Sequence, residues 1–172
     1  MGGYVSFAFL RLFPDRADGL LLVDTQAGAD SETTRAGRTE QQEEVRAGKR
    51  EALLERLAGK LLAESSRRDA ALVERLRALM DQPDDGIVGA LEAMKKRPDS
   101  TGDLPGIRLP TVIVVGELDP ITPPPVAEAM QAAIPGARLV VLPGAGHLVN
   151  LEAADAFHRA LDFSSQAGGE QA

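Results

Sequence analysis

The sequence predicts an α/β protein built on a parallel sheet of about three strands, with flanking helices and an inserted helical segment. Three apolar runs that do not alternate with polar residues predict the strands, because the strands of a parallel sheet are covered on both faces. These runs are Gly19–Thr25, Thr111–Asp119 and Arg138–His147. Between the first and the second run, apolar residues recur at intervals of three and four, which indicates amphipathic helices.

The composition is typical of a globular protein. Hydrophobic residues make up 44% and charged residues 26% of the chain. Its 172 residues are enough for a domain with a sizeable core. The formal net charge of −7 argues against a nucleic-acid surface, because phosphate binding needs clustered lysine and arginine. Cysteine is absent, which excludes disulfides and thiolate metal sites. A reducing, cytoplasmic location is therefore predicted.

A mostly buried helix is predicted at the start of the chain. Apolar side chains recur close to helical spacing over residues 3–13, and Pro14 ends the run. These side chains are Val5, Phe9, Leu12 and Phe13. The first predicted strand, Gly19–Thr25, follows directly after this helix and its turn.

A helical insertion, from about Asp30 to Pro98, separates the first strand from the second. Charges are more frequent here, and apolar residues recur at three and four positions, as on amphipathic helices. The residues of these apolar faces are Leu53, Leu54, Leu57, Leu61, Leu62, Leu72, Val73, Leu76, Leu79, Met80, Ile87, Val88, Leu91 and Met94. Breaks are predicted at Ser65-Ser66 and at residues 82–86. Helices that pack on their neighbours account for all of these apolar residues.

The strand-helix pattern returns after a loop rich in proline and glycine at residues 98–110. The strand Thr111–Asp119 is followed by a helix with the body Val126–Ile134. Thr122 is the predicted N-cap of that helix, and Pro123 is its predicted first residue.

The third predicted strand, Arg138–His147, is expected to be buried and to end in a glycine-rich loop. A last helix is predicted from about Leu151 to Phe163, with an apolar face that includes Phe157. The remaining tail, Gln166–Ala172, is predicted to be disordered.

Three side chains that could carry chemistry follow the predicted strands. Functional groups of open parallel sheets collect in the loops at the carboxyl ends of the strands, where Asp24, Asp119 and His147 lie. Histidine is the side chain best suited to move protons near neutral pH. A buried Asp119, one strand-helix unit earlier, would orient the imidazole and stabilise its charged form.

Structural roles compete with these catalytic roles. An aspartate before proline at a strand end commonly forms a turn, and an isolated loop histidine is more often structural than catalytic. Asp119 and His147, in this order at the ends of adjacent strands, are more specific as a pair than either alone. Asp24 is a second candidate acid, for which the turn role is favoured. His158, inside the last predicted helix, is predicted to be a surface residue.

A family resemblance covers residues 105–163 and extends to residues 1–29. Its motifs lie in residues 109–161, which run LPTVIVVGELDPITPPPVAEAMQAAIPGARLVVLPGAGHLVNLEAADAFHRAL. This segment resembles the C-terminal part of an α/β-hydrolase, and is especially similar to ester and lactone hydrolases of the 3-oxoadipate enol-lactonase type. In that family G-x-x-D supplies the acid of a Ser-His-Asp triad and P-G-x-G-H supplies the base. The resemblance implies that Asp119 and His147 have these roles, and that the helical insertion is a lid over the substrate.

The resemblance also implies where a nucleophile would lie. The triad serine should precede Asp119 in a turn of the form G-x-S-x-G, and no such motif occurs; Ser6 lies in YVSFAF, within a helix. The family elbow commonly continues as S-M-G-G and an apolar helix. The opening MGGYVSFAF matches that continuation from the residue after the serine. The implied chain is therefore a truncated core in which the backbone N–H of Met1 helps to form the oxyanion hole.

The expectation is a partial α/β-hydrolase fold that acts on a small-molecule ester or lactone. Its expected divisions are core residues 1–29, lid residues 30–104, C-terminal core residues 105–165 and tail residues 166–172. The chain alone is expected to be inactive because it lacks the nucleophile. The alternative is a catalytically inactive binding or assembly module derived from the same fold.

The expected partners follow from what the sequence contains. Neither an acidic metal cluster nor a G-x-G-x-x-G motif occurs, so no metal or dinucleotide cofactor is expected. Neither a nucleic acid nor a membrane is an expected partner. The unpaired edge of a truncated sheet would favour self-association.

Overall fold

The computed structural model describes residues 1–161, so the predicted tail Gln166–Ala172 and the end of the last predicted helix lie outside the described residues. The elements are α1 (Gly2–Leu12), β1 (Leu20–Val23), α2 (Glu32–Arg46), α3 (Arg50–Leu61), α4 (Ala70–Met80), α5 (Asp84–Lys96), β2 (Thr111–Gly116), α6 (Pro124–Ala133), β3 (Arg138–Leu142), α7 (Val149–Glu152) and α8 (Ala154–Ala160). Short 3-10 turns occupy Pro14–Arg16, Ser66–Arg68 and Thr101–Gly106. Within residues 1–161, no helix is both long and apolar enough to span a bilayer.

The three strands form one parallel sheet in the order β1-β2-β3. Leu22 lies opposite Ile113 in the first pairing, and Val114 lies opposite Val140 in the second. All six residues of the central strand β2 are buried. The predicted fold class is confirmed: the chain has an α/β fold with three parallel strands and flanking helices.

Helices cover both faces of the sheet, and β2 supplies side chains to each face alternately. Ile113 and Val115 join a core with Phe7 of α1, Leu22 of β1, Met130 of α6 and Ile134, which directly follows α6. Val112 and Val114 join a second core with Leu142, Val149 and Ala160, against which Phe157 of α8 packs. Each fully buried Val, Leu, Ile, Phe or Met side chain contributes about 1.5–3 kcal/mol to the stability of the fold. The two cores fix the carboxyl ends of the strands at one edge of the sheet.

The helical insertion is tied to the rest of the chain by a buried ion pair. Nη1 of Arg97, after α5, donates to Oδ1 of Asp30, before α2, over 2.6 Å, and both side chains are buried. Arg97 Nη2 also donates to the carbonyl of Gly28, and its guanidinium lies 4.0 Å from the ring centroid of Tyr4 in α1. Arg38 of α2 pairs with the same Asp30. The two ends of the insertion are thereby joined beside the first helix.

The helix α1 is less buried than the sequence predicts. Phe7 is buried, whereas the four residues named for its apolar face are exposed: Val5 by 62%, Phe9 by 41%, Leu12 by 71% and Phe13 by 49%. The prediction of a mostly buried helix is therefore wrong for the described residues. Helical spacing identifies which side chains share a face, but not whether another element covers that face.

Three local predictions also need correction. The helix α6 begins at Pro124, with Pro123 as its N-cap, so Thr122 is not the N-cap. The last predicted helix starts at Val149 and is interrupted at Ala153, whose φ of −136° and ψ of 48° are not helical. The strand β3 is only partly buried: of its five residues only Leu142 is buried, and Val141 is 39% exposed.

Candidate active site

Three polar side chains meet at the carboxyl edge of the sheet, each in the loop after one strand. Asp24 follows β1, Asp119 lies three residues beyond β2, and His147 lies five residues beyond β3. The Asp119 side chain is fully buried, whereas 17% of the His147 side chain is exposed. This difference leaves the imidazole accessible and keeps the carboxylate behind it out of water.

Asp119 and His147 are directly hydrogen-bonded. Nδ1 of His147 lies 2.8 Å from Oδ2 of Asp119. An ionised carboxylate only accepts hydrogen bonds, so Nδ1 carries the proton and donates it to this bond. Among the residues that the structure describes, no hydrogen bond engages Nε2. In the neutral imidazole, that nitrogen is the one with a free lone pair, so it can accept a proton from a third group.

A tight turn holds the Asp119 carboxylate in place. Oδ1 accepts hydrogen bonds from the backbone N–H groups of Ile121 (2.8 Å) and Thr122 (3.1 Å). The Thr122 hydroxyl donates to Oδ2 over 2.7 Å. Burial alone would raise the pKa of Asp119, but the hydrogen bonds from His147 and Thr122 outweigh it and lower the pKa below its ordinary value. The acid is therefore ionised at neutral pH although it is buried.

Asp24 has a different role from Asp119, although it also ends a strand. Its Oδ1 accepts from the N–H of Gly116 over 3.0 Å, and its Oδ2 accepts from the N–H of Val149 over 3.1 Å. Its φ of +42° is in the left-handed region, which aspartate adopts more readily than most residues. Burial raises the pKa of Asp24 to about 6, although the two backbone hydrogen bonds and the charge of His147 oppose that rise. Asp24 thus joins β1 to the end of β2 and to the segment after His147.

The loop that carries His147 packs closely on the end of β2. A Cβ atom at Gly116 would overlap the carbonyl oxygens of Gly146 and Ala145, so only glycine fits there. The N–H of Leu118 donates to the carbonyl of Ala145 over 2.9 Å. The Glu117 carboxylate accepts from the N–H of Gly144, also over 2.9 Å, where the chain turns with a φ of +71°. These contacts bring the imidazole to the buried acid.

The start of α1 lies at the same edge of the sheet. A Cβ atom at Gly3 would overlap the side chain of the buried Thr25, which directly follows Asp24. The Met1 carbonyl accepts the first hydrogen bond of the helix, from Tyr4 N–H over 3.0 Å. Burial lowers the pKa of the Met1 amino group, and the nearby guanidinium charges of Arg38 and Arg97 add to this shift. The role of Met1 as an oxyanion donor stays a prediction.

The other sequence candidates lie outside this constellation. His158 is exposed on α8, as predicted for a surface residue. The Ser6 hydroxyl donates to the Gly2 carbonyl within its own helix. Ser31 is the N-cap of α2. The hydroxyl of the buried Ser100 accepts a hydrogen bond from Arg11. Within residues 1–161, no group of three or more His, Asp or Glu side chains is arranged to hold a metal ion.

Sequence reasoning missed two groups in the site. Thr122 is predicted to be a helix N-cap because Pro123 follows it, but its hydroxyl donates to the Asp119 carboxylate instead. Glu117 received no role, because one glutamate after a strand has no distinguishing pattern. The signal that was available for Thr122 is its spacing: it lies three residues after Asp119, and a capping aspartate accepts from the backbone N–H two or three residues later.

Comparison with known proteins gives a consistent result. Residues 1–154 match the family model described as alpha/beta hydrolase fold. An esterase structure from Thermogutta terrifontis superposes with a TM-score of 0.88 and 38% identity, over 93% of this chain and 60% of that chain. The enol-lactonase structure from Burkholderia xenovorans LB400 superposes with a TM-score of 0.84 and 27% identity, over 96% of this chain and 63% of that chain.

A curated enzyme is also similar in sequence. Pimeloyl-[acyl-carrier protein] methyl ester esterase from Yersinia pseudotuberculosis serotype O:1b is 34% identical over 84 residues, which are 49% of this chain. The match spans 33% of that enzyme's length. The chain thus spans 60–63% of the two solved structures and a third of the curated relative.

Proposed function

The chain belongs to the α/β-hydrolase family, and from this we propose that it supplies the acid and the base of a serine hydrolase acting on an ester or lactone carbonyl. The observation that carries the proposal is the hydrogen bond between buried Asp119 and accessible His147, 2.8 Å long. The similar proteins described as esterase, enol-lactonase and methyl ester esterase support the class of substrate. The helical insertion is the proposed lid over that substrate.

The proposed reaction follows the chemistry of a Ser-His-Asp triad. Nε2 of His147 accepts the proton of a serine hydroxyl as its oxygen attacks the substrate carbonyl carbon, which forms a tetrahedral oxyanion. The Asp119 carboxylate stabilises the imidazolium that results. The imidazolium then gives the proton to the leaving alkoxide oxygen as the carbon–oxygen bond breaks. Water, deprotonated by Nε2, hydrolyses the acyl-serine in a second round of the same steps.

The proposed serine precedes Met1 in a longer form of the protein. The close packing of Gly3 on Thr25 supports this, because it brings the start of α1 to the edge of the sheet that carries Asp119 and His147. The backbone N–H of Met1 is then the proposed donor to the oxyanion. On this proposal, the 172-residue chain by itself has no hydrolase activity.

The test is a protein expressed from the reading frame extended upstream of codon 1. We expect it to hydrolyse p-nitrophenyl acetate and to be labelled by a fluorophosphonate, whereas the 172-residue chain does neither. His147→Ala should abolish turnover in the extended protein, and His158→Ala, which changes an exposed histidine, should not. A stop codon directly before Met1, or full turnover in His147→Ala, would overturn the proposal.

Two observations favour the alternative function of an inactive binding or assembly module. Val5, Phe9 and Leu12 of α1 are exposed, as is Phe13 directly after it, and exposed apolar patches commonly mark interaction sites. The edge of β1 also has no partner strand within residues 1–161. Sedimentation of the 172-residue chain tests this alternative: concentration-dependent association that Phe9→Ser weakens would support it, and a monomer at all concentrations would not.

A further inference from the structure

The loop around His147 is held by groups outside it. All four backbone N–H groups of residues 146–149 donate to atoms elsewhere in the chain. Gly146 and Leu148, the neighbours of His147, donate to Oε1 of Glu152 over 2.9 and 3.3 Å. The two remaining N–H groups donate to the carbonyl of Leu61 (from His147, 3.0 Å) and to Asp24 (from Val149, 3.1 Å).

The second oxygen of Glu152 binds the helical insertion. Oε2 accepts from the N–H of Ala63 over 2.8 Å, two residues after the end of α3. Gly146 permits this arrangement, because a Cβ atom there would lie 2.6 Å from the nitrogen of Ala63 and 2.9 Å from Oε1 of Glu152. One carboxylate therefore joins both neighbours of His147 to the segment that follows α3.

We infer that Glu152 is a positioning residue that couples the position of His147 to the position of the helical insertion. The inference rests on the proposed function for the role of His147 as the base. Three N–H donors converge on this side chain, and a carboxylate has two oxygens that accept. A glutamine has one accepting oxygen and an NH₂ group, so it must release either Ala63 or the loop.

The variant Glu152→Gln tests this inference in the 172-residue chain, with Asp155→Asn as the matched control. Asp155 is an exposed acid three residues away on α8. Amide hydrogen exchange by NMR should be faster by about tenfold or more at Ala63 or at Gly146 and Leu148, because each loses a bond to a charged acceptor. The amide of Val114 in β2 should exchange as in the wild type. The control should leave all four amides unchanged.

A second readout separates positioning from general stabilisation. The proton on Nδ1 of His147 gives a downfield NMR signal while its bond to Asp119 is intact, and Glu152→Gln should shift or broaden it. Uniformly faster exchange in β2 and the loop, or an unchanged Nδ1 signal, would overturn the inference. If Glu152→Gln does not fold, Glu152→Asp, which keeps the charge but shortens the side chain, should show the same local pattern.

These measurements need no turnover, so they can fail or succeed independently of the hydrolase proposal. In the extended protein, Glu152→Gln should lower kcat by up to about a hundredfold, since small misplacements of a reacting group have effects of this size. Local exchange changes together with unaltered kcat would overturn the link between Glu152 and the base. An inactive extended protein with the expected exchange pattern would overturn the proposed function alone.

Discussion

Asp119 and His147 are 28 residues apart in sequence, and Nδ1 of the histidine lies 2.8 Å from Oδ2 of the aspartate. The carboxylate accepts three further hydrogen bonds, all from Ile121 and Thr122 in its own turn. The acid is thus fixed by local structure, whereas the histidine is brought to it by the contact between its loop and the end of β2. The two halves of the pair should therefore respond differently to mutation.

Replacing Thr122 by valine should remove one hydrogen bond to the Asp119 carboxylate without changing the shape of the site. The hydroxyl bond to buried Asp119 would be lost, at a cost of about 2 kcal/mol in the free energy of unfolding at neutral pH. The pKa of Asp119 would rise toward its ordinary value. A carboxyl whose pKa is lowered by folding stabilises the folded state at pH values above its unfolded pKa, and this stabilisation is lost as the pH falls through its folded pKa. Because the valine variant has less of this stabilisation, it should unfold at a higher pH than the wild type during acid titration.

Urea unfolding at neutral pH and acid titration by circular dichroism measure these two effects. Thr122→Ser is the matched control, because it keeps the hydroxyl and removes only a methyl group. Equal stability and equal acid transitions in the valine and serine variants would show that the hydroxyl bond has no energetic role.

The strands and the paired residues of the site could be predicted from the sequence because each depends on a local pattern. A run such as Thr111–Gly116, apolar at nearly every position, is buried on both faces wherever it lies in a parallel sheet. The same rule places Asp119 and His147 at one edge. Their contact follows from adjacent strands, and the parallel order of the strands confirms that adjacency.

Features that depend on distant partners could not be predicted. The helix α2 has few apolar residues, and it buries Val45 and Gln42 against the rest of the insertion. Its sequence therefore lacks the periodic apolar face from which a helix is predicted. Glu152 binds Ala63 across 89 residues of sequence, and its own neighbourhood gives no sign of that bond. The exposure of Val5 and Phe9 depends likewise on what covers α1, which a periodic pattern does not contain.

Replacing Asp24 by asparagine should change how stability depends on pH. The pKa of Asp24 is raised by burial to about 6 in the folded chain, above its ordinary value of 3.8. A group whose pKa is raised by folding contributes its full stabilisation of the folded state at pH values below its unfolded pKa. That contribution is lost as the pH rises through its folded pKa. From about pH 4.5 to about pH 7 the wild type should therefore lose about 2 kcal/mol relative to Asp24→Asn.

Asparagine suits this comparison because it also adopts a positive φ readily. Urea unfolding of both proteins at the two pH values gives the difference, in which titrating groups that do not interact with Asp24 cancel. A difference between the two proteins that stays constant with pH would contradict the raised pKa of Asp24.

Replacing Gly116 by alanine should separate His147 from Asp119. The added Cβ would meet backbone carbonyl oxygens of the loop before His147, which cannot move aside as a side chain would. We expect a loss of about 3 kcal/mol in the free energy of unfolding. The downfield Nδ1 signal of His147 should be lost in the same variant.

The control for this prediction is Gly59→Ala, at an exposed position of α3 where the added Cβ would have no atom within 4 Å apart from its chain neighbours and the backbone of its own helix. Alanine there should stabilise by roughly 0.5–1 kcal/mol, because it restricts the unfolded chain and favours the helix. Similar stabilities for the two alanine variants would contradict the close approach of the loop to β2.

Replacing Asp30 by alanine should loosen the helical insertion. The buried carboxylate lies between the guanidinium groups of Arg38 and Arg97, and its removal leaves the buried charge of Arg97 and the partly exposed charge of Arg38 without their anion. Burial alone would raise the pKa of Asp30, but the hydrogen bonds from both arginines lower it, so the pair is charged at neutral pH. Breaking such a pair from one side typically costs about 3–5 kcal/mol.

The exposed ion pair between Arg11 and Asp103 provides the control, because its two side chains are 34% and 43% exposed. Asp103→Ala should cost at most about 1 kcal/mol. Because Asp30 is ionised with a lowered folded pKa, the difference between wild type and Asp30→Ala should also shrink as pH falls through that pKa. Equal urea midpoints for the two alanine variants at neutral pH would show that the buried pair does not hold the insertion in place.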